Sequence, residues 1–412
     1  MGTDQRCPIC SVVVGPHARY PRYVCGACAA AARSADGRPL SFVNADVSGG
    51  YRAEYADTRE PYGSHECFVR GVRCWADEAR FGGIVIQASE DQPEPPTSKR
   101  APPESTSPER VITDRARGVL VGMAVGDALG APVEFDSPDA IRGRREELFG
   151  LPGGGAFDWA PGEFTDDTQM ALVLAYHLRT RAGSLEGDEL AREFARWAEH
   201  AADVGNQTRT VLSGISRGMG WEEATGQLSP EAAGNGSLMR VAPVALAAES
   251  GERAGALGLA QSQVTHPNDT CLDACAFFSR LLWATIETGS IELAAASSGI
   301  GTEAVRRAVE ASTLDSEPDM SGWVLHTLTS ALWAVRGAVS YEDAVWRAVA
   351  RGRDADTVGA VAGALAGARW GLRGIPPALP SRLRSRHPLF RAHYPAALIQ
   401  LADDLVATRP SA

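Results

Sequence analysis

The chain has 412 residues, long enough for two or three domains with well-buried cores. Its 44% hydrophobic and 22% charged residues exclude a disordered composition, and 51 acids against 40 bases (net −11) argue against a general nucleic-acid or membrane-surface binder. The start lacks a basic-then-apolar leader and no apolar run nears the ~20 residues of a membrane span, so a cytoplasmic protein is expected.

In a reducing compartment the eight cysteines read as metal ligands or buried thiols, not disulfides. Cys7-Pro-Ile-Cys10 and Cys25-Gly-Ala-Cys28 are two CxxC pairs with fourteen residues between them. Two such knuckles let four thiolates converge on one structural Zn²⁺, closing a unit too small for a good core, whereas a single pair would read equally as a redox couple. Val12–Val14, Tyr20–Val24, Cys67–Cys74 and Gly83–Gln87 suggest short strands. Residues 1–87 are therefore expected to form a small α+β, zinc-ribbon-like domain. Between its knuckles Arg19, Tyr20, Arg22 and Tyr23 offer either a basic-aromatic docking patch or a solvated hairpin. Cys67 and Cys74, with His65 nearby, are either a second metal site or two buried thiols.

Residues 88–111 carry prolines at 93, 95, 96, 102, 103 and 108 and little to bury, the composition of a semi-rigid linker. Residues 1–110 hold 13 bases and 14 acids, so ten of the eleven net negative charges belong to residues 111–412. From 112 to 412 the pattern is helical: Asp167–Thr180, Asp188–Ala202, Leu272–Thr288, Trp323–Val335 and Tyr341–Arg351 repeat apolar residues at three-to-four spacing, with Gly and Pro at the joints. An all-α, compact multi-helix domain is expected. Cys271 and Cys275, one helical turn apart in an apolar stretch, read as core.

Three acidic segments stand out in this region. Gly122-Met-Ala-Val-Gly-Asp127 leads to Glu134, Glu163-Phe-Thr165-Asp166-Asp167-Thr168 opens an apolar helix, and Gly352-Arg-Asp354-Ala-Asp356-Thr357 opens an Ala/Gly-rich one. Alone, each Asp/Thr cluster reads as a helix cap. Together they offer two sets of hard oxygen ligands, as Mg²⁺ or Mn²⁺ requires.

Six segments, GMAVGDALGAPVEF (122–135), FTDDTQM (164–170), DVGNQTR (203–209), GNGSLMRVAPVAL (234–246), THP (265–267) and GRDADTVGAVAGALAGA (352–368), resemble in order those of the ADP-ribosylglycohydrolase family. The resemblance covers about 113–405 and implies a helical fold around two Mg²⁺ (or Mn²⁺) ions. Thr165, Asp166 and Asp167 would bind them from one side and Asp354, Asp356 and Thr357 from the other, with Glu134 positioning metal or water. Asn235, Gly236, Ser237 and Met239 would wrap the ADP-ribose, with His266 beside it and Arg240 either touching the ligand or supporting the loop. Asp203 and Asn206 would lie near the scissile group, unless Asp203 merely caps the next helix.

The implied activity is hydrolysis at the anomeric carbon of the distal ribose, with Glu134 or one of Asp166, Asp167 and Asp356 as general base and Asp203 beside an arginine leaving group. Arginine-linked ADP-ribose is the first expectation, and serine-linked or nucleic-acid-base-linked ADP-ribose are the alternatives. A non-catalytic ADP-ribose reader and a two-metal phosphohydrolase are the competing classes. An ADP-ribosylated protein, with nucleic acid as the alternative, is the expected partner, ADP-ribose is the expected product, and the N-terminal domain is a candidate for docking the target, which the sequence permits without indicating.

Overall fold

The computed structural model describes residues 5–10, 12–14, 20–34, 37–46, 49–69, 72–78, 84–88, 108–297, 299–390 and 394–409. They fall in two compact units, Met1–Glu104 and Ser105–Ala412. Arg19, Gly83, residues 70 and 71 of the 67–74 segment, and 89–107 of the proposed linker lie outside the described residues.

In the first unit β1 (Gln5–Arg6) pairs antiparallel with β2 (Val13–Val14), and Cys7 sits just after β1, its N–H donating to Val12 O at 2.9 Å. A four-residue helical turn, Gly26–Ala29, follows Cys25. β3 (Ala32–Arg33), β6 (Glu66–Val69), β7 (Val72–Glu78) and β8 (Ile84–Ala88) form an antiparallel sheet in the order β3-β6-β7-β8, and β4 (Leu40–Asp46) pairs with β5 (Gly49–Tyr55) as a separate hairpin. The expected α+β unit is thus almost wholly β among the described residues. Segment 20–24 is not a regular strand. It runs along β8 through Val24 N–H to Ile86 O (2.8 Å) and Ala88 N–H to Arg22 O (3.1 Å), while Pro21 has no N–H to give a ladder. The 67–74 segment is a hairpin in which Cys67 opposes Cys74, both buried. That burial makes them core thiols, and they join no cluster of potential metal ligands among the described residues.

The second unit is helical, and the reason lies in its central pair. Pro108–Gly130 places Gly118, Gly122, Gly126 and Gly130 at every fourth position, and Ala355–Trp370 places Ala355, Gly359, Gly363 and Gly367 likewise. Residues four apart share a helix face, and the two faces meet antiparallel: Gly118 against Gly367, Gly122 against Gly363, Gly126 against Gly359, Gly130 against Ala355. The backbones touch, and a Cβ built at Gly122 would lie 2.5 Å from Gly363 O. Tyr341, fully buried, donates its hydroxyl to Gly122 O at 2.7 Å beside the seam. Around this pair pack Asp166–Thr180, Asp269–Thr288, Val324–Arg336, Tyr341–Val349 and Ala396–Ala407, the last tied by a bidentate Arg117–Asp403 pair at 2.7 and 2.8 Å.

Two expectations shift here. The first helix starts at Pro108, so residues 108–111 are helical, as suits a proline at the first position with Glu109 after it. Also, Glu109–Val133 is long and apolar enough to cross a membrane by length and composition, although 94% of its apolar window is buried inside the protein. Its Val, Leu, Met and Ala side chains give it that hydropathy, and its glycines give the neighbouring backbone room.

The seam predicts the sign of a substitution that helix propensity gets wrong. Alanine for glycine favours a helix by ~1 kcal/mol, but at Gly363 the added methyl meets the Gly122 carbonyl. Gly363→Ala is expected to lose about 2 kcal/mol net and roughly 5 °C in Tm. Thermal unfolding measures this, and a raised Tm would refute the close packing.

Candidate active site

The seam carries the end of the 108–130 helix to the start of the 355–370 helix, and the acidic residues gather there. Asp127, on the last turn of the first helix, is fully buried. Its carboxylate accepts from Thr165 N (3.0 and 3.1 Å), Thr168 N (3.0 Å) and Thr168 Oγ1 (2.5 Å), so it caps the Asp166–Thr180 helix from across the core. Burial still raises it to about 6, although all four bonds favour the charged form. Thr165 is the local N-cap, accepting from Asp167 N at 3.3 Å. The capping reading of the 165–168 segment is therefore correct, and it leaves the Asp166 and Asp167 side chains facing a cavity.

On the other side, Phe135 N–H donates to Arg353 O (2.5 Å) and Arg353 N–H to Asp136 O (2.7 Å). These bonds hold the chain after Glu134 against the turn before Asp354. Phe135, Gly352 and Arg353 all have positive φ, at 70°, 65° and 55°. For Phe and Arg that conformation is strained, and such strain gathers where side chains are held for a purpose. Asp354 precedes the 355–370 helix without capping it; its Oδ2 instead accepts from Asn235 Nδ2 at 2.6 Å, and the same amide donates to Thr327 Oγ1 at 2.8 Å.

Carboxylate oxygens of Glu134, Asp354 and Asp356 lie within 4.8 Å of one another. Thr357 Oγ1 and Thr165 Oγ1 lie 3.5 and 3.3 Å from Asp167 Oδ2. With Asp166, Asp167 and Asp203 these acids line a cavity of about 510 Å³ that has no Lys or Arg in its wall. Burial, and then mutual repulsion, holds Asp166, Asp167 and Asp356 well above the ordinary carboxylate range. The same causes push Glu134 up to about 10, whereas burial opposed by the Asn235 hydrogen bond leaves Asp354 at about 6. Glu134 Oε2, Asp167 Oδ1 and Asp356 Oδ1 are buried without any hydrogen-bond partner. Three orphaned carboxylate oxygens at one cavity are what a bound cation would satisfy, and an all-oxygen donor set is that of a hard divalent ion.

The remaining wall comes from 203–208, 234–239, His266 and Gly322. Asp203 does not cap the next helix, whose N-cap is Gly205 without a side-chain bond. It faces the cluster, raising Glu134, Asp166, Asp354 and Asp356. Asn206 opens the Asn206–Ser216 helix at the rim, and Asn235, Gly236, Met239 and His266 line the cavity. Ser237 does not. It is fully buried, its Oγ accepting from Ser262 Oγ at 2.8 Å, in the tight turn that brings Leu238 N–H to Asn235 O, and Leu238 is buried beside it. Cys271 and Cys275 lie buried beneath the same loop as core thiols, donating to Gly234 O and Ser237 Oγ at 3.4 Å each. Arg240 is likewise internal and supports the loop. Sequence reasoning assigns no role to Asp127 or to Gln207, whose Oε1 accepts from Gly234 N at 3.1 Å and fixes the start of the loop. Asp127 carries a signal, an acid inside the apolar second half of its helix. Gln207 carries none.

In the first unit Cys7, Cys10, Cys25 and Cys28 form the second cluster of potential ligands, all four free thiols. Cys10 Sγ and Cys25 Sγ lie 3.6 Å apart, against about 3.8 Å for the edge of a tetrahedron with Zn–S near 2.3 Å. Burial, then the neighbouring thiols, pushes Cys28 up to about 12, so the four cannot all ionise without a cation.

Residues 108–412 match the ADP-ribosylglycohydrolase family. The chain is 35% identical over 305 residues to ADP-ribosylarginine hydrolase Tri1 of Pseudomonas putida, covering 70% of this chain and 80% of that one. Against the ADP-ribosyl-[dinitrogen reductase] glycohydrolase of Rhodospirillum rubrum it is 35% identical over 278 residues, 66% of this chain and 91% of that one. A solved structure described as an ADP-ribosylglycohydrolase-related protein complex superposes with a TM-score of 0.60 at 33% identity, covering 72% of this chain and 98% of that one. With its acidic cavity formed from the same three acidic segments, the chain belongs to the ADP-ribosylglycohydrolase family and is an enzyme of that kind.

Proposed function

We propose that this enzyme removes ADP-ribose from arginine on a modified protein, using a pair of Mg²⁺ (or Mn²⁺) ions. One observation carries the reading: Glu134 Oε2, Asp167 Oδ1 and Asp356 Oδ1 are buried and unpartnered, and all three residues line a single cavity. Thr165, Asp166 and Asp167 would hold the ions from one helix start, Asp354, Asp356 and Thr357 from the other, and Glu134 from the loop between. Bound there, the ions supply orientation of ribose hydroxyls and a more acidic water.

The chain's own groups account for the rest. Positive charge develops at the anomeric carbon as its bond to nitrogen breaks, and a wall of six acids without Lys or Arg favours that charge. Glu134 would be ionised once the repulsion of the neighbouring acids is offset by bound cations, and would then take the proton of the attacking water. Asp203 pairs with the guanidinium group before cleavage, and the departing guanidine regains at nitrogen the proton that Glu134 took from water. Gly234 and Gly236 let the backbone approach the pyrophosphate, where Cβ atoms would crowd Gln207 and His266. The relatives named ADP-ribosylarginine hydrolase support the arginine linkage over serine or a nucleic-acid base. In the N-terminal unit Cys7, Cys10, Cys25 and Cys28 would hold one structural Zn²⁺, and we assign to this unit the docking of the modified target. Free thiols at every described cysteine fit a cytoplasmic protein.

The central experiment presents arginine-, serine- and base-linked ADP-ribose to the full-length protein with and without chelator, and measures free ADP-ribose. Release from the arginine substrate alone, abolished by chelator and restored by Mg²⁺ or Mn²⁺, is expected. Under single-turnover conditions Asp166→Ala and Asp356→Ala are each expected to slow it at least about a hundredfold; wild-type rates would refute the ligand assignment. Asp356→Asn should separate charge from ligation. Without metal it relieves repulsion worth a few kcal/mol at most between acids ~4 Å apart, so its Tm should rise above the metal-free wild type, yet added Mg²⁺ should stabilise it less. Metal analysis of the intact protein should find one Zn²⁺ per chain, lost in Cys28→Ser.

A further inference from the structure

Arg240 is the one fully buried arginine among the described residues. Its partners are neutral: Nε donates to Gln261 Oε1 (2.9 Å), Nη2 donates to Gln261 O (3.0 Å) and Thr265 Oγ1 (2.8 Å), and the guanidinium carbon sits 4.3 Å from the centre of the Phe194 ring. Nη1 has no partner. A buried cation without a counter-ion is costly, and a neutral chain of the same shape would be more stable unless the charge acts on something. Burial lowers its pKa to about 9, which still leaves it charged at neutral pH.

What it acts on is Thr265, and through Thr265 the cavity. Thr265 Oγ1 lies 2.7 Å from His266 Nδ1, and both residues are buried. A hydroxyl has one hydrogen. With the arginine donating to the oxygen, the arrangement that leaves no donor idle sends that hydrogen to Nδ1. Nδ1 is then the bare nitrogen and Nε2 carries the hydrogen. The backbone of His266 is fixed as well, N–H to Ser262 O at 2.7 Å and O from Ser262 Oγ at 3.0 Å. The ring lies over Gly236, where an added Cβ would sit 3.0 Å from Nε2, and both residues face the cavity. Burial, and then the charge of Arg240, oppose protonation of the imidazole.

We propose that Arg240 is a positioning residue: through Thr265 it holds His266 as a neutral imidazole with its hydrogen on Nε2, a fixed donor to a phosphate or hydroxyl oxygen of the ligand and not a proton-transfer group. The ligand's identity rests on the function proposed above; the tautomer does not. The arrangement suits the chemistry. A neutral donor holds a substrate oxygen without placing positive charge near a carbon that is itself becoming positive.

The test uses the full-length protein with ¹⁵N-labelled histidine, in which the His266→Gln variant identifies the His266 ring signals. Long-range ¹H–¹⁵N spectra at neutral pH should show the Nε2–H tautomer in the wild type. Thr265→Ser should retain it, and Thr265→Val should lose it to a mixture. With Mg²⁺ present, ADP-ribose should bind Thr265→Val about tenfold more weakly than wild type, the worth of one hydrogen bond, and Thr265→Ser should recover most of the loss. Arg240→Met, where it folds, should shift the tautomer as Thr265→Val does. An Nδ1–H or doubly protonated ring in the wild type, or an unchanged tautomer in Thr265→Val, overturns the relay. The expected tautomers with no ADP-ribose binding to any of the proteins would confirm the relay and overturn the substrate reading.

Discussion

The helical unit depends on two backbones lying against each other without side chains between them. Gly118, Gly122 and Gly126 face Gly367, Gly363 and Gly359, and the pairing runs antiparallel. Antiparallel contact brings the end of the first helix to the start of the second, and the four-residue repeat fixes their register. Three of the cavity's acids, Glu134, Asp354 and Asp356, are placed at that junction, and Asp127 beside them anchors the helix that carries Asp166 and Asp167. Asp127 sits on its last turn and Glu134 just beyond; Asp354 and Asp356 stand at the opposing helix start. A slip of one turn, about 5.4 Å, would carry Glu134 past Asp356. The glycines are poor helix formers, so the tertiary contact must offset their cost, and it does so while setting the geometry of the site.

Within that geometry the acids divide by how they are satisfied. Asp127 accepts four hydrogen bonds and anchors a helix, and Glu163, also buried, is held by Arg386 and the backbone of residues 160 and 386. These are structural carboxylates. Glu134, Asp167 and Asp356 each keep an oxygen with no partner, and among the described residues no Lys or Arg lines their cavity. A protein that buries several carboxylates together and gives its arginines elsewhere has left a charge to be supplied from outside. The family match gives the same answer by an independent route.

How much of this is legible in the sequence depends on whether a signal is local. The helices at 166–180, 269–288 and 324–336 follow from apolar periodicity, and the Asp/Thr clusters stand out because each lies within a few residues. The capping reading of the first cluster holds at Thr165, and Asp166 and Asp167 still line the cavity, where metal ligation is the proposal. What escapes is non-local. The partners of Asp127 lie 38 and 41 residues away, and the turn that buries Ser237 between the cavity-lining Asn235 and Met239 is held by Ser262 and Gln261. In the first unit the CxxC spacing is legible, whereas the 40–55 hairpin escapes the sequence reading although Leu40, Phe42, Val43, Tyr51, Ala53 and Tyr55 mark it.

The loops around the cavity hold their strain for the same reason that the acids hold their charge. Phe135 and Arg353 adopt left-handed backbone angles that cost on the order of 1–3 kcal/mol each. Two hydrogen bonds join their segments, and through those bonds Glu134 is fixed to the turn that carries Asp354. Relaxing either residue would separate the two carboxylates and ease their repulsion, so strain and repulsion both favour opening. The opposing terms are the glycine seam, the Asn235 bridge to Asp354 and Thr327, and whatever cation the cavity takes up. Ligation of the proposed cation would therefore do more than add a reactive centre to a finished fold. It would cancel the repulsion that the packed helices impose, and the 134–136 and 352–354 loops would be the part of the fold whose order depends most on the ion.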